Sequence, residues 1–577
     1  MANYYHTHNC GELRIENVGQ KVVLSGWVAT IRKLGGIVFA TLRDHFGVTQ
    51  LLIEDEAIID GICKETVVRV EGEVLERTSK NANMETGDIE VKVATIEVLG
   101  KCLNVLPFEI ADAQNTKEEL RLKYRYLDLR NQENHKLVVY RAKVLNYVRN
   151  RLTEMGFLEV QTPILTSSSP EGARDYIVPT INAPGEFYAL PQAPQQFKQL
   201  LMISGFDKYF QVAPCFRNEA ARADRTPGEF YQIDMEMSFA TQDDVFENCE
   251  SFITGLFGEF TTLNVDGTPF VRIPYKEAME KYCSDKPDLR NPLVVNDVTE
   301  IFKDTEFNAF KDKTIKMIIA PCSDKPRRFY DDLGKLIVSY EGKGMAWLKY
   351  DGNEISGSIV KFLTEEQKEK LIACGVKAGD SMFFIADEKP MSIKLANVLR
   401  NALGEQLELI DKNKVAFCWI CDFPFYEENE ETGAVDFSHN PFTMPQGGLE
   451  ALKNKNPLDI VAYQFDLVCN GYEILSGAVR NHDVDVMVKA FEIAGYAKEV
   501  VQNKFGALYN AFQYGPPPHA GCAFGFERLI MIMTGKDVIR DVITFPLNKN
   551  GRDLLMNAPS KIDEKTLKEL GIKVEEK

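Results

Sequence analysis

The stretch from residue 208 to residue 240, KYFQVAPCFRNEAARADRTPGEFYQIDMEMSFA, constrains this chain more than any other. It reads as a strand, a charged loop turning at Thr226-Pro227-Gly228, and a second strand. Successive side chains of a strand point to opposite faces. In the second strand Tyr231, Ile233, Met235, Met237 and Phe239 therefore share one face and require a core beneath them. Phe230, Gln232, Asp234, Glu236 and Ser238 share the other, and Gln211 and Arg217 share a face on the first strand. Such a polar row is costly to bury unless ligands or partners satisfy it. Two readings stand at this point. One is the solvent side of a half-exposed antiparallel sheet. The other is a nucleoside triphosphate site, with Arg217, Arg222 and Arg225 for phosphate and the acids for a metal.

At 577 residues the chain exceeds one compact core, and three or four domains are expected. No apolar run is long enough to cross a bilayer, and the N-terminus MANYYHTHNCGEL has neither the basic nor the apolar region of an export signal. A soluble, cytoplasmic protein without membrane contact is the expectation. A net charge of −18 argues against a whole surface that clings to nucleic acid, although a local groove can still be basic. The twelve cysteines are scattered, which suits reduced thiols. Cys418 and Cys421 form a CxxC inside the apolar run VAFCWICDF. With no second pair nearby, buried thiols are expected there rather than structural zinc.

The patterning divides the chain. Over residues 1–104, five alternating runs (KVVLSGWVATI, IVFATLRD, VTQLLIED, TVVRVEGEVLE, DIEVKVATIEVLG) predict a small closed barrel of the oligonucleotide-binding kind. Residues 105–135 form a charged, helical linker containing KEELRLKYRYLDLR. A helix follows, with Val144, Leu145, Val148, Leu152 and Met155 on one face and Gly156 at its end. Residues 136–287 then carry strand and loop signals, 288–412 read as a mixed α/β insertion, 413–548 resume strand patterning and finish in a helix, and 549–577 are a polar helical extension.

Three stretches carry a resemblance. FRNE with its loop and following strand resembles motif 2 of the class II aminoacyl-tRNA synthetases. GFLEVQTPIL resembles motif 1, with Pro163 at the dimer-contact position, and GFERL at 525–529 resembles motif 3. Four more, SPEGARDY (169–176), LPQAPQQFKQLLMISGFDKYFQ (190–211), SHNPFT (438–443) and NGYEILSGAVRNH (470–482), are similar to aspartyl-tRNA synthetases, and the insertion and C-terminal extension to their bacterial type. The resemblance implies an α+β multidomain protein: an N-terminal OB-fold anticodon-binding barrel, a class II antiparallel-sheet catalytic domain, and an α/β insertion domain. It implies a homodimeric ligase that activates aspartate with ATP and Mg²⁺ and loads it onto tRNA(Asp).

The resemblance also implies roles. Arg217 would meet the α-phosphate and Arg528 the γ-phosphate, with Phe230 and Arg528 sandwiching the adenine. Asn218, Glu219, Glu473, Gly525, Phe526 and Glu527 belong to the ATP site, and Asp466 and Glu473 would hold magnesium. Arg480 and Lys198 would grip the aspartate side chain, oriented by Asp234, which suits selection of a carboxylate over an amide. Glu171 and Gln195 would hold the substrate ammonium and backbone, with His439 beside them. In the barrel, Phe39 and Gln50 would meet anticodon bases, joined by Arg32 and Glu90.

Three positions depart from the pattern. Thr226 stands in RTPGEF where a glutamine is frequent, Asn440 follows His439 where a second histidine is common, and Ala193 replaces a serine, so those contacts are in question. Ligases for asparagine or lysine, a tRNA-independent amide ligase and a non-catalytic RNA-binding paralogue are the alternatives. The EGARDY loop and the insertion disfavour the first pair. The barrel disfavours the amide ligase, and Arg217, Glu473, Arg480 and Arg528 disfavour the last. Charging of tRNA(Asn) as well stays open. Leu34, where histidine often accompanies that wider specificity, leans towards tRNA(Asp) alone.

Overall fold

The computed structural model describes residues 3–168, 172–429 and 432–575. By its contacts the chain divides into two units, 1–112 and 113–577. In the first, the five alternating runs become β1 (Lys21–Leu34), β2 (Ile37–Arg43), β3 (Val48–Ile53), β4 (Val67–Glu76) and β5 (Ile89–Gly100), closed in the order β1-β2-β3-β5-β4. Inward positions such as Leu24, Val38, Leu42, Leu51, Val70 and Val91 are fully buried and fill the barrel. Full closure removes the exposed edges of so small a sheet. The β1–β2 hairpin turns on Gly35 and Gly36, whose φ of 60° and 84° suit a two-residue loop that other residues enter at a cost.

The second unit opens on two short helices, Glu118–Lys123 and Arg125–Asp128. Arg125 is buried and donates to the carbonyls of Thr544 (2.8 Å) and Ile543 (2.9 Å). It also pairs with Asp128, which takes further bonds from Arg121 (3.0 Å) and Asn134 (2.8 Å). Several donors on one buried carboxylate are what make its burial tolerable. The next helix, α1 (Gln132–Glu154), is capped by the Asn131 side chain and buries Val144, Val148 and Leu152. Leu145 and Met155 pack partly against the same core, and Gly156 ends the helix at φ +86°.

The main sheet of this unit has eight strands. Of these, β6 (Lys208–Arg217), β7 (Gly228–Ser238), β8 (Gln464–Cys469), β9 (Tyr472–Val479) and β10 (His519–Gly525) matter for the site. From the edge strand Leu158–Glu159 the order runs β6, β7, β10, β9, β8, then Phe417–Cys421 and Val271–Pro274. The central pairings are antiparallel, as expected, while both edge pairings are parallel. One face is dry. Ile233, Met235 and Met237 of β7 pack there with α1, the helix Gln242–Phe260 and the helix Phe526–Thr534. Phe246 stacks on Trp419 at 4.0 Å, and the buried Glu250 accepts the Trp419 indole N–H at 2.8 Å. Phe239 is a correction to the strand pattern. It lies past the end of β7 with φ +55°, and its ring is 74% exposed rather than in the core.

The insertion builds its own antiparallel sheet, ordered Val295–Asp297, Thr314–Ala320, Ser381–Asp387, Ala346–Tyr350 and Ile355–Gly357. Its two faces carry separate cores, one against the helices Arg327–Ser339 and Lys389–Gln406. The fully buried Arg400 fastens the insertion's start, donating to the carbonyls of Leu293 (2.7 Å), Asn291 (2.8 Å) and Asp288 (3.0 Å). The C-terminal extension is less helical than its composition predicts. It holds one short helix, Glu564–Glu569, capped by Asp563 and stopped before Gly571 at φ +68°. Among the described residues no helix is long and apolar enough to cross a membrane.

Candidate active site

Opposite the dry face, the sheet floors a cavity of about 890 Å³. The polar row of β7 lines it through Phe230, Gln232 and Asp234, facing β9 and β10. Here the sheet buries charge. Lys198, on the helix Gln195–Ile203, places Nζ 2.6 Å from Asp234 Oδ1 and 3.3 Å from Glu236 Oε2. Arg480, just past β9, grips Glu236 in two places, Nε to Oε1 at 3.0 Å and Nη2 to Oε2 at 3.2 Å. All four side chains are nearly inaccessible. Burial and the Lys198 charge pull Asp234 in opposite directions and burial prevails, raising its pKa. Glu236, equally buried, is held below the usual carboxylate range by Arg480 and Lys198.

This arrangement corrects the expectation that Asp234 orients both cations. Asp234 bonds Lys198, whereas Glu236 aligns Arg480 and bridges to Lys198. Asp234 Oδ2 is buried with no hydrogen-bond partner among the described residues, and the residue lines the cavity. An unpaired acceptor there suits an incoming ammonium. The role of Glu236 escaped the sequence reading, although its place two residues from Asp234 was a signal: a buried acid requires a cation. Also missed was a chain beneath the floor, where Gln195 donates to Gln199 (3.0 Å) and Gln199 meets His519 Nε2 (3.0 Å). Burial lowers the pKa of His519, so the ring is neutral near pH 7.

The opposite end of the cavity carries two arginines, Arg217 and Arg528. Arg217 lines the cavity, its guanidinium 5.1 Å from the Phe230 ring centroid. Arg528, one turn into its helix, donates to the Glu473 carbonyl and reaches the Asp224 carboxylate at 3.3 Å. Its buried Nε has no partner among the described residues. Glu219 pairs with Arg225 at 2.7 Å, and Ala223 accepts from the Ile539 amide at 2.8 Å, pinning the charged loop. Phe230 carries the Arg217 guanidinium on its ring, while Arg528, expected to sandwich the adenine with Phe230, is turned towards Asp224 and Glu473.

Several expected residues sit elsewhere. Phe526 has its ring wholly in the core with the Arg141 guanidinium over it at 4.5 Å, off the cavity wall. Asn218 is off the cavity wall, its amide bonded to the Arg174 carbonyl. Glu527 and Gly525 reach the wall, but Glu527 spends its carboxylate on Arg141 (2.6 Å) and the Tyr231 amide (2.9 Å). Gln195, Ala193, Thr226, His439 and Asn440 all line the cavity, and burial lowers the His439 pKa. Glu171 falls outside the described residues.

Asp466 and Glu473 lie on adjoining strands, behind and on the wall respectively. Burial and then the Glu473 charge push Asp466 well above the ordinary carboxylate value, and its Oδ1 is buried without a hydrogen-bond partner among the described residues. A repelled, under-satisfied acid pair fits Mg²⁺, which takes one or two carboxylates together with phosphates and water. Lys286, unnoticed in the sequence, stands 3.3 Å from Glu473 and 2.7 Å from Asp285. Burial opposes its charge, but those two acids win and its pKa is pushed up to about 12.

In the barrel unit, Phe39 alternates with the buried Val38 and Ala40 and so lies half-buried on the outer face, not in the core. Arg32 is exposed directly across from it. Gln50 follows on the neighbouring strand and donates to the nearly buried Glu90 at 2.7 Å.

Comparison with known proteins gives this geometry a family. Residues 117–549 match the tRNA synthetases class II (D, K and N), and 22–99 match the OB-fold nucleic acid binding domain. The chain belongs to the class II tRNA synthetases. It is 51% identical over 582 residues to an aspartate–tRNA(Asp/Asn) ligase of Gluconobacter oxydans, covering 98% of this chain and 97% of that one. It is 50% identical over 579 residues to an aspartate–tRNA ligase of Streptomyces coelicolor, covering 99% and 98%. Among solved structures the synthetase is similar in fold to asparaginyl-tRNA synthetase from Pyrococcus horikoshii with asparaginyl-adenylate (TM-score 0.56, 19% identity, covering 93% and 97%). The aspartyl tRNA synthetase from Entamoeba histolytica gives a TM-score of 0.56 at 20% identity, covering 92% and 89%.

Proposed function

We propose that this synthetase activates L-aspartate with ATP, releasing pyrophosphate, and transfers the aspartyl group from the adenylate to the 3′ end of tRNA(Asp). The observation that carries this reading is the buried Arg480–Glu236–Lys198–Asp234 cluster on the cavity floor. Relatives about 50% identical over nearly the whole chain carry names for the same reaction. In the first step an α-carboxylate oxygen of aspartate attacks the α-phosphorus and the bond to pyrophosphate breaks. Negative charge grows on the phosphoryl oxygens, where Arg217 and Arg528 supply fixed positive charge. Arg480 and Lys198 receive the substrate side-chain carboxylate, and Asp234 Oδ2 its ammonium. His439, neutral through burial, donates or accepts a hydrogen bond without adding charge. No protein nucleophile is needed.

Purified enzyme should catalyse ATP–pyrophosphate exchange with aspartate. Better support by asparagine or lysine would defeat the assignment. Asp466 and Glu473 would hold Mg²⁺, which when bound neutralises charge on the triphosphate. Asp466→Asn is expected to weaken Mg²⁺·ATP binding roughly tenfold by calorimetry, in line with the loss of one carboxylate ligand, while aspartate binding is kept. Equal binding by the variant would remove Asp466 from the metal site.

Phe39, Arg32, Gln50 and Glu90 would read the anticodon through stacking and hydrogen bonds. Phe39→Ala should lower kcat/KM for tRNA charging by about 5- to 100-fold, the value of one stacked base, and spare pyrophosphate exchange. Parallel loss of both activities would contradict a separate anticodon surface. The exposed Leu158, Ile164 and Leu165 around Pro163 suit an apolar contact with a second copy, which supports a homodimer as the working form. A second reading, charging of tRNA(Asn) as well, draws on relatives named for both tRNAs. Assays with each purified tRNA separate the two.

A further inference from the structure

The mechanism uses none of the twelve cysteines. Nine are buried, and the accessible ones are Cys63, Cys102 and Cys374. Two of these three meet on the barrel. Cys63 precedes β4 and Cys102 follows β5, just beyond the paired residues Val67 and Gly100. Cys63 Sγ lies 3.5 Å from the Cys102 carbonyl oxygen and 3.5 Å from Thr66 Oγ1. Cys102 Sγ donates to the Asn104 carbonyl at 3.5 Å.

This meeting is held in place by its surroundings. The turn 63–66 closes through the Thr66 amide on the Cys63 carbonyl at 3.2 Å. Next to it Glu65, at φ +65°, is pinned by its amide to the Val28 carbonyl (2.7 Å) and by its carboxylate to Arg43 (2.7 Å). By contrast, Cys374 Sγ donates to the Lys370 carbonyl of the preceding helix at 3.4 Å. Cys249 and Cys522 also touch, at 3.4 Å, but both are fully buried in the catalytic core, away from any dissolved oxidant.

We propose that Cys63 and Cys102 form a reversible dithiol–disulfide site on the barrel, oxidised by hydroperoxides and restored by dithiol reductants. Cys63, the more exposed, takes the first step. Its thiolate attacks the terminal peroxide oxygen, the O–O bond breaks, and the departing oxygen leaves protonated as water or an alcohol, with Cys63 now a sulfenic acid. The Cys102 sulfur then attacks Cys63 Sγ. The S–S bond forms, the S–O bond breaks, and hydroxide leaves as water with the Cys102 proton. Two thiols have lost two electrons and the peroxide has gained them. With Cys63 Sγ already 3.5 Å from the Cys102 backbone, side-chain rotation at the surface would bring the sulfurs to the ~2.05 Å of a disulfide. The Cys102 thiol has its pKa raised, by burial first and then by its neighbour Cys63, which assigns it the resolving rather than the attacking part. The product would tie the turn before β4 to the segment where the chain leaves β5. The site stands independently of the substrate assigned above.

The test uses the full-length protein, reduced and then exposed to hydrogen peroxide. Peptide mass mapping without reductant should find the Cys63 and Cys102 peptides joined, lighter by two hydrogens than their sum, and separated again by dithiothreitol. In Cys102→Ser, Cys63 should instead accumulate as a sulfenic acid trapped by dimedone. In Cys63→Ser, Cys102 should remain alkylatable. Wild-type protein in which both thiols stay alkylatable, or in which dimedone traps Cys63 while Cys102 stays free, would overturn the proposal. So would a disulfide that joins either residue to Cys374.

Discussion

Replacing Arg480 with leucine is expected to lower kcat/KM for aspartate in pyrophosphate exchange by about 10³-fold or more, while ATP binding persists. The size follows from burial. Arg480 is 3% exposed, and its guanidinium holds both oxygens of Glu236, itself wholly inaccessible. Leucine removes the guanidinium whose remaining N–H groups would receive the substrate carboxylate and leaves Glu236 with Lys198 as its remaining cation. Truncating one partner of a buried charge pair costs roughly 2–5 kcal/mol, much of it from the charge left behind. The four buried groups, Lys198, Arg480, Asp234 and Glu236, balance in formal charge. Glu236→Gln, which leaves Arg480 charged but poorly aligned, should raise KM for aspartate more than it lowers kcat. A melting curve shows whether each variant is folded. Unchanged aspartate kinetics in a folded Arg480→Leu protein would remove this residue from the pocket.

Arg217→Ala should act on the other half of the reaction. Removing one preorganised group aimed at developing charge lowers kcat by roughly 10²–10³-fold. Arg217 ends β6 and is braced against the Gln192 carbonyl at 3.3 Å and the Phe230 ring, so its head is placed before substrate arrives. The expected result is a lower single-turnover rate of adenylate formation, with aspartate binding by calorimetry within a few-fold of wild type. Loss of aspartate binding with an unchanged rate would assign Arg217 to the amino acid rather than to the phosphate. The neighbouring Arg528 offers an internal comparison. Its contacts with Asp224 and Glu473 must be exchanged for phosphate, so Arg528→Ala should also weaken ATP binding.

The five barrel strands were legible because a closed barrel of this size buries every second residue, and the alternation is written directly into runs such as IVFATLRD. The β7 face was legible for the same reason. Period-two patterning stops being informative where the backbone leaves the strand. Phe239 fits the apolar alternation, yet its left-handed backbone ends β7 and turns the ring to solvent. The polar extension ran the other way, since helix-favouring composition could not carry a helix through Gly571. Phe526 illustrates a third limit. It adjoins Glu527 and Arg528 in the chain, but helical geometry points it into the core while Arg528 faces the cavity.

From the sequence alone came the closed barrel, the two-faced hairpin and a set of charged residues in motifs of one synthetase family. These rest on local periodicity and on residue order, which a chain carries before it folds. What only the tertiary structure decided is who holds whom. Glu236 rather than Asp234 aligns Arg480, one Asp234 oxygen has no hydrogen-bond partner among the described residues, and Lys286 stands among the acids around Glu473. Cys63 and Cys102 come within reach of each other although 38 residues separate them in the chain. Such pairings join segments remote in sequence, and burial then sets which charges must be satisfied there. Neither distance nor burial is a property of the residue string.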